Sequence, residues 1–250
     1  MDKKYNENQL EGRNAVLEVL KSGRDIEKIY LQKGNVEGTL RRIAAMAKER
    51  GIIVQEVVRQ KLDDMSQTKN HQGVIAIVSV HEYAEVSDIL KSAYDKGEKP
   101  FIIILDSITD PHNLGAVIRS AECAGAHGVI IPKRRSVGLT AVVGKTSAGA
   151  LEYMPVARVT NISRTIEDLQ KEGIWAVCAD MDGNDYFSAP LDTPIALVIG
   201  SEGEGVSRLV KEKCDFTVSI PMYGRISSLN ASVAASLMMY EVVRQRNFKE

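Results

Sequence analysis

The stretch Phe101-Ile102-Ile103-Ile104-Leu105, with Lys99-Pro100 before it and Asp106-Ser107 after it, decides the fold. Five consecutive apolar residues, three of them β-branched, are too short for a helix and suit a strand buried on both faces. Such strands belong to parallel sheets, whose crossovers carry helices over each face. Working outward, residues 128–131 and 195–199 have the same character. Helical spacing predicts helices over 113–124, about 139–149, 163–172, 206–212 and 231–245, with shorter strands at 175–179 and 216–220. Residues 100–250 therefore read as an α/β domain built on a parallel sheet.

The preceding sequence forms a second block. A helix is expected over 10–20, ended at Gly23, and a strand over 26–31. A helix over 36–50 places Leu40, Ile43, Ala44 and Ala47 on one face, and strands follow at 52–58 and 73–80. This α-β-α-β-β order makes residues 1–80 a small layered α/β domain. Residues 81–99 are polar, end in Gly97 to Pro100 punctuation, and read as a linker.

Composition narrows the function classes. The polar start, Met1 to Asn8, lacks the apolar core of a signal peptide, and no apolar run approaches the ~18 residues of a membrane helix. A cytoplasmic protein is expected. Cys123, Cys178 and Cys214 form no C-x-x-C pair and sit among apolar neighbours, so they read as small buried hydrophobes. The four histidines lack metal-ligand spacing, and no metal is expected. Residues 1–80 hold 14 Lys/Arg against 11 Asp/Glu, and the rest 18 against 22, a weakly basic first block.

Ligands of open parallel sheets collect beyond the carboxyl ends of the strands. Three segments place polar and glycine residues there. In Asp106-Ser107-Ile108-Thr109-Asp110-Pro111-His112-Asn113, the last residue reads as a helix N-cap, and Leu114, Val117, Ile118 and Ala121 form the buried stripe. Arg119 lies about 140° from Leu114, beside Ala116, Ser120 and Cys123, where another surface could approach closely. From spacing alone, a cap and a surface ion pair are the simpler account of these two residues. Gly200-Ser201-Glu202-Gly203-Glu204-Gly205 has the wrong spacing for a dinucleotide fingerprint and could be a plain turn, although turning does not require Glu202. Ile220-Pro221-Met222 through Ser228-Leu229-Asn230 reads as a strand end and a capped helix start; Ile220, Met222 and Leu229 could equally wall a purine pocket. Lys133-Arg134-Arg135, on the same edge, is either a solvated loop or a phosphate grip.

Together the three segments resemble the motifs of the SpoU/TrmH branch of the SPOUT methyltransferases: D-x-x-x-D-P-x-N-x-G-x-x-x-R, G-S-E-G-E-G and I-P-M-x-G-x-x-S-S-L-N-x-S, over about residues 100–246. The first block, with Glu11-Gly12-Arg13-Asn14-Ala15-Val16 and His71-Gln72-Gly73-Val74-Ile75-Ala76, resembles the L30e-like substrate-binding domain of these enzymes. The combination is most similar to the RlmB type, which 2′-O-methylates a guanosine of 23S ribosomal RNA. The resemblance implies a trefoil knot, a homodimer and S-adenosyl-L-methionine as cofactor, held by Gly200, Ile220, Met222, Ser228 and Leu229. It further implies Asn113, Arg119, Glu202 and Asn230 as the catalytic set; Lys133, Arg134 and Arg135, from their place on the same edge, and Arg13 of the first block are expected toward the RNA. Because an arginine pKa exceeds ~12, Arg119 is expected to hold a phosphate and stabilise an alkoxide, oriented by Glu202 and Asn230. A 2′-O-methyltransferase acting on transfer RNA or on another ribosomal site, and a non-catalytic RNA-binding ribosome-assembly factor, are the competing readings.

Overall fold

The computed structural model describes residues 8–34 and 38–248. The chain divides into two compact units, one running to Glu82 and including Gly138–Ala141, the other made of Tyr83–Val137 and Val142 onward.

The first unit contains β1 (Gln9–Glu11), α1 (Arg13–Lys21), β2 (Ile26–Gln32), α2 (Thr39–Glu49), β3 (Val54–Val57), α3 (Arg59–Met65) and β4 (Val74–Val78). Its sheet has the order β1-β4-β2-β3, antiparallel except for the parallel pair β2-β3. Val16, Val19 and Leu20 of α1 and Leu40, Ile43 and Ala47 of α2 are buried with Ile29, Leu31, Val74 and Ala76 of the sheet. The helix expected from residue 10 starts at Arg13 because residues 9–11 pair with β4. Val36, the expected start of the second helix, lies outside the described residues; the helix runs from Thr39. β1 and α3 escape a periodicity reading because one has three residues and the other buries only Leu62.

The second unit contains α4 (Val86–Asp95), β5 (Phe101–Leu105), α5 (Pro111–Cys123), β6 (Gly128–Pro132), α6 (Ala141–Thr146), β7 (Val156–Val159), α7 (Ile162–Lys171), β8 (Trp175–Asp185), β9 (Ile195–Ile199), α8 (Arg208–Lys211), β10 (Phe216–Ser219) and α9 (Ala231–Asn247). All six strands are parallel, in the order β10-β8-β9-β5-β6-β7. Every residue of β5 and β9 is buried, as expected of central strands covered on both faces. The chain leaves β5 for β6 on one side and reaches β9 on the other, so the carboxyl ends of β5 and β9 form a topological switch point.

Residues 81–99 are not a free linker. They hold α4, whose Ile89 and Ala93 are fully buried, and Ile89 belongs to the core with Ile102, Ile130 and Ile166. Gly128 opens β6 because a Cβ there would lie 2.5 Å from Ile89 Cδ1. The amide of Ala84 also donates to Val156 O (2.9 Å), tying the segment to β7. Strand β8 runs past its expected end at Ala179. Its register with β10 jumps from Thr217↔Cys178 to Val218↔Asn184, so residues 179–183 bulge out of the ladder. Bulges of this kind commonly sit beside active sites, where they re-aim side chains.

Candidate active site and cofactor cavity

The switch point is closed by loops built from short-range rules. Asp110 caps α5, its Oδ1 accepting from the His112 amide (2.9 Å), with Pro111 at the first helical position. The expected cap at Asn113 is thereby corrected: the helix starts two residues earlier, and Asn113 is a buried helical residue. Asp106, also buried, accepts from the Ser207 amide through Oδ2 (2.8 Å), joining the end of β5 to the far side of the glycine loop. Within that loop Ser201 and Gly205 exchange backbone hydrogen bonds (3.1 and 2.9 Å). A Cβ on Gly200 would lie 1.9 Å from the Gly205 carbonyl carbon, so only glycine permits this closure. The loop is thus a closed turn, and Glu202 takes no part in the bonds that close it.

The loop delivers Glu202 to α9. Its Oε1 accepts from Asn113 Nδ2 (3.1 Å), from Asn230 Nδ2 and from the Ala231 amide (3.3 Å). Asn230 Nδ2 also donates to Asn113 Oδ1 (2.9 Å), while Asn230 Oδ1 caps α9 by accepting from the amides of Ser232 (3.0 Å) and Val233 (3.3 Å). Three residues far apart in sequence thus make one closed hydrogen-bonded cluster, with a carboxylate at the positive end of a 17-residue helix.

Arg119 stands apart. It is exposed and makes no hydrogen bond or ion pair among the described residues. It follows Asn113 by six residues, which puts it about 120° round α5 and ~9 Å along it. Glu202 and Asn230, expected to orient Arg119, hold Asn113 within this chain and make no hydrogen bond to Arg119.

Beside the cluster lies a cavity of about 230 Å³. Gly200, Ile220, Met222, Ser228 and Leu229 line it, as do Glu202 and Ala231. Sequence reasoning missed Asp180, Met181, Ser227 and Met238, which also line it. Asp180 and Met181 arrive on the β8 bulge, which no strand periodicity announces. Lys211 holds Asp180 and Asp182 at 3.2 and 2.5 Å; the bond to Asp182 raises the lysine's pKa, and the same bond lowers that of Asp182. Three carboxylates line the cavity, Asp180 (paired from behind with Lys211), Glu202 and Glu204, with no Lys, Arg or His in the lining, beside the apolar Ile220, Leu229 and Met238. That combination suits a cation carried on a flat apolar group.

The side chains of Lys133, Arg134 and Arg135, just after β6, make no hydrogen bond or ion pair among the described residues. Arg13 is in the first unit, where its Nε donates to Gln72 O (3.0 Å). Cys178 is buried and Cys214 half-buried; a hydrogen bond with the Cys178 thiol, then burial, push the Cys214 pKa up. Cys123 is exposed, against expectation, because it lies at the last residue of α5, past the buried stripe. Among the described residues no helix is long and apolar enough to cross a membrane, and no group of three or more His, Cys, Asp or Glu could hold a metal ion.

Comparison with known proteins gives the same picture over nearly the whole chain. The SpoU rRNA methylase family model matches residues 100–240, and the model for RNA 2′-O ribose methyltransferase substrate binding matches residues 9–84. The chain is 53% identical over 237 residues to YacO of Bacillus subtilis, which is assigned to the TrmH family of tRNA/rRNA methyltransferases, covering 94% of this chain and 95% of that one. A Staphylococcus haemolyticus protein with the same family assignment is 50% identical over the same shares. Among solved structures, the SpoU methyltransferase AviRb of Streptomyces viridochromogenes in complex with AdoMet has a TM-score of 0.61 at 26% identity, covering 95% of this chain and 90% of that one. The AdoMet-bound rRNA methyltransferase of Sinorhizobium meliloti has a TM-score of 0.60 at 25% identity, covering 96% and 88%. The chain belongs to the SpoU/TrmH family of S-adenosylmethionine-dependent RNA 2′-O-ribose methyltransferases.

Proposed function

We propose that this enzyme methylates a ribose 2′-hydroxyl of ribosomal RNA, on a guanosine of the 23S molecule. The observation that carries the site assignment is the Asn113–Glu202–Asn230 cluster standing against an acidic, apolar-walled cavity. S-adenosylmethionine fits that cavity by charge and by lining, and it supplies an electrophilic methyl group on a sulfonium. Ile220, Met222 and Leu229 would flank its adenine, with Gly200 and Ser228 offering backbone contacts. The cluster is rigid because each member is hydrogen-bonded to another, so it can orient a hydroxyl with little reorganisation; orientation alone is worth several kcal/mol of barrier. Arg119, unpaired and exposed, is available to hold the neighbouring phosphate and to stabilise the alkoxide that develops as the hydroxyl proton leaves. Lys133, Arg134 and Arg135, free of carboxylates at the same sheet edge, would hold further phosphates.

The same reading makes the second unit a trefoil-knotted SPOUT domain, the first an L30e-like RNA-binding domain, and the enzyme a cytoplasmic homodimer. The exposed stripe Val233, Leu237 and Tyr240 on α9, at i, i+4 and i+7, supports a second copy as its cover. Transfer RNA is the second reading, because the curated relatives carry a tRNA/rRNA assignment. Mass-spectrometric mapping of methylated nucleosides in 23S and transfer RNA, from strains with and without the gene, tests the choice. Loss of one 2′-O-methylguanosine from 23S RNA is expected; loss from transfer RNA alone overturns the target.

A further inference from the structure

In the first unit, a concavity of about 600 Å³ lies between the start of α1, the start of α3 and the loop 69–73. It is open to solvent and lined mainly by polar side chains, so a ligand there would be held by charge and hydrogen bonds instead of apolar burial. Three cations border it: Arg13, Arg59 and Lys69. All three are exposed, and none makes an ion pair among the described residues. The one carboxylate in the wall, Asp63, is already engaged by His71 Nε2 at 2.9 Å. His71 is buried and its Nδ1 accepts from the Gly73 amide (3.0 Å), so the hydrogen bonding leaves the imidazole proton on Nε2, facing Asp63.

The loop that presents this charge is held tightly. Glu11 gathers Ser66 Oγ (2.7 Å), the Gln67 amide (2.6 Å) and Thr68 Oγ1 (2.5 Å). Arg13 is pinned to Gln72 through its own amide (3.2 Å) and through Nε (3.0 Å). Lys69 and Gln72 have φ of 57° and 50°, in the left-handed region that non-glycine residues rarely adopt. Strain of this sort persists where the surroundings over-determine it, and it clusters at ligand clamps. Asn70 adds an amide donor and acceptor of the kind that read a base edge, and Gln72, whose Oε1 is taken by the Arg13 amide, adds its side-chain NH2 donor.

We propose that this concavity is an RNA subsite that seats one unpaired nucleotide, with Arg13, Arg59 and Lys69 on its phosphates and the Asn70 and Gln72 amides toward its base. The inference rests on the RNA-methyltransferase reading and specifies where the first unit grips its substrate. Splayed, single-stranded nucleotides are what RNA-specific proteins usually recognise, and a concave amide-lined site suits them better than a duplex backbone.

The test uses the full chain, a fluorescein-labelled 20-nucleotide single-stranded RNA of mixed sequence, and the same RNA as a duplex, in anisotropy titrations from 50 to 300 mM KCl. The double variant Arg59→Ala/Lys69→Asn removes two cations while keeping a residue that tolerates the left-handed conformation. Single-strand affinity should fall at least tenfold near 100 mM salt. The slope of log affinity against log salt should fall by about 1.4, since each phosphate contact contributes about 0.7 for single strands. Arg59→Lys with Lys69 intact should keep the slope. Thermal melting and S-adenosylmethionine affinity by calorimetry report whether the fold and the cofactor site persist. Unchanged single-strand affinity and slope in the double variant overturn the subsite, as does an equal loss for the duplex. A wild-type protein that binds the single strand but methylates no RNA would instead count against the proposed reaction.

Discussion

Replacing Glu11 by Gln tests whether one carboxylate organises the first unit. Burial opposes its ionisation, but hydrogen bonds from the Thr68 hydroxyl, the Gln67 amide, the Ser66 hydroxyl and Gln9 outweigh that cost and hold its pKa down to about 2, against an ordinary 4.5. Taken at face value, a difference of about 2.5 in pKa corresponds to about 3.4 kcal/mol at 1.36 kcal/mol each. Glu11 is only partly buried, and solvent screening reduces this to roughly 1–2 kcal/mol. The folded pKa lies below the unfolded one, so the stabilisation is complete above pH 4.5 and is lost as pH falls toward 2. With a urea slope of about 1 kcal/mol/M for a small unit, the unfolding midpoint of Glu11→Gln should drop by ~1–2 M at pH 7. Far-UV circular dichroism should show the shift, whereas fluorescence of Trp175, the chain's single tryptophan, reports the second unit and should not follow it. Because Gln does not titrate, the gap between wild type and variant isolates this one group; it should shrink by more than half between pH 6 and pH 3. A gap of constant size across that range would refute the electrostatic origin and leave only a packing defect.

Three further outcomes follow from the second unit. Glu202→Gln keeps an acceptor oxygen but removes the charge that binds Asn113, Asn230 and the α9 amide; kcat in a methyl-transfer assay should fall about 100-fold, and a near-normal kcat would remove Glu202 from the active cluster. Gly200→Ala forces a Cβ onto the Gly205 backbone, so the loop must open, and calorimetry should show S-adenosylmethionine binding at least tenfold weaker. Ile89→Ala empties a site in the second unit's core and should cost about 2–4 kcal/mol, read by Trp175 fluorescence; a loss under ~1 kcal/mol would restore the view of residues 81–99 as a linker.

What the sequence made legible followed from how far each structural cause extends along the chain. The buried runs at 101–105 and 195–199 announce themselves because every residue in them is covered, and the motif segments fall at the strand ends those runs define. Asn113, Glu202 and Asn230 were each visible in such loops, the two asparagines as helix caps and Glu202 as a carboxylate that turning does not require. Their mutual hydrogen bonds were not, since these span 89 and 117 residues of sequence. Local rules misled where two residues could do one job. Both Asp110 and Asn113 are good helix caps, and Pro111, lacking an amide hydrogen, gives the position to Asp110 and frees Asn113 to turn inward. The linker reading failed because α4 is short and mostly exposed; two buried residues, Ile89 and Ala93, anchor it. The β8 bulge was illegible because it depends on register with β10, two strands later in the chain than the residues it displaces, and on Gly183, where a Cβ would lie 2.6 Å from Val218 Cα. That bulge is what brings Asp180 to the cavity wall, so the cavity's acidic character, the feature that favours a cationic cofactor, owes one of its three carboxylates to a contact between strands that no single stretch of the chain encodes.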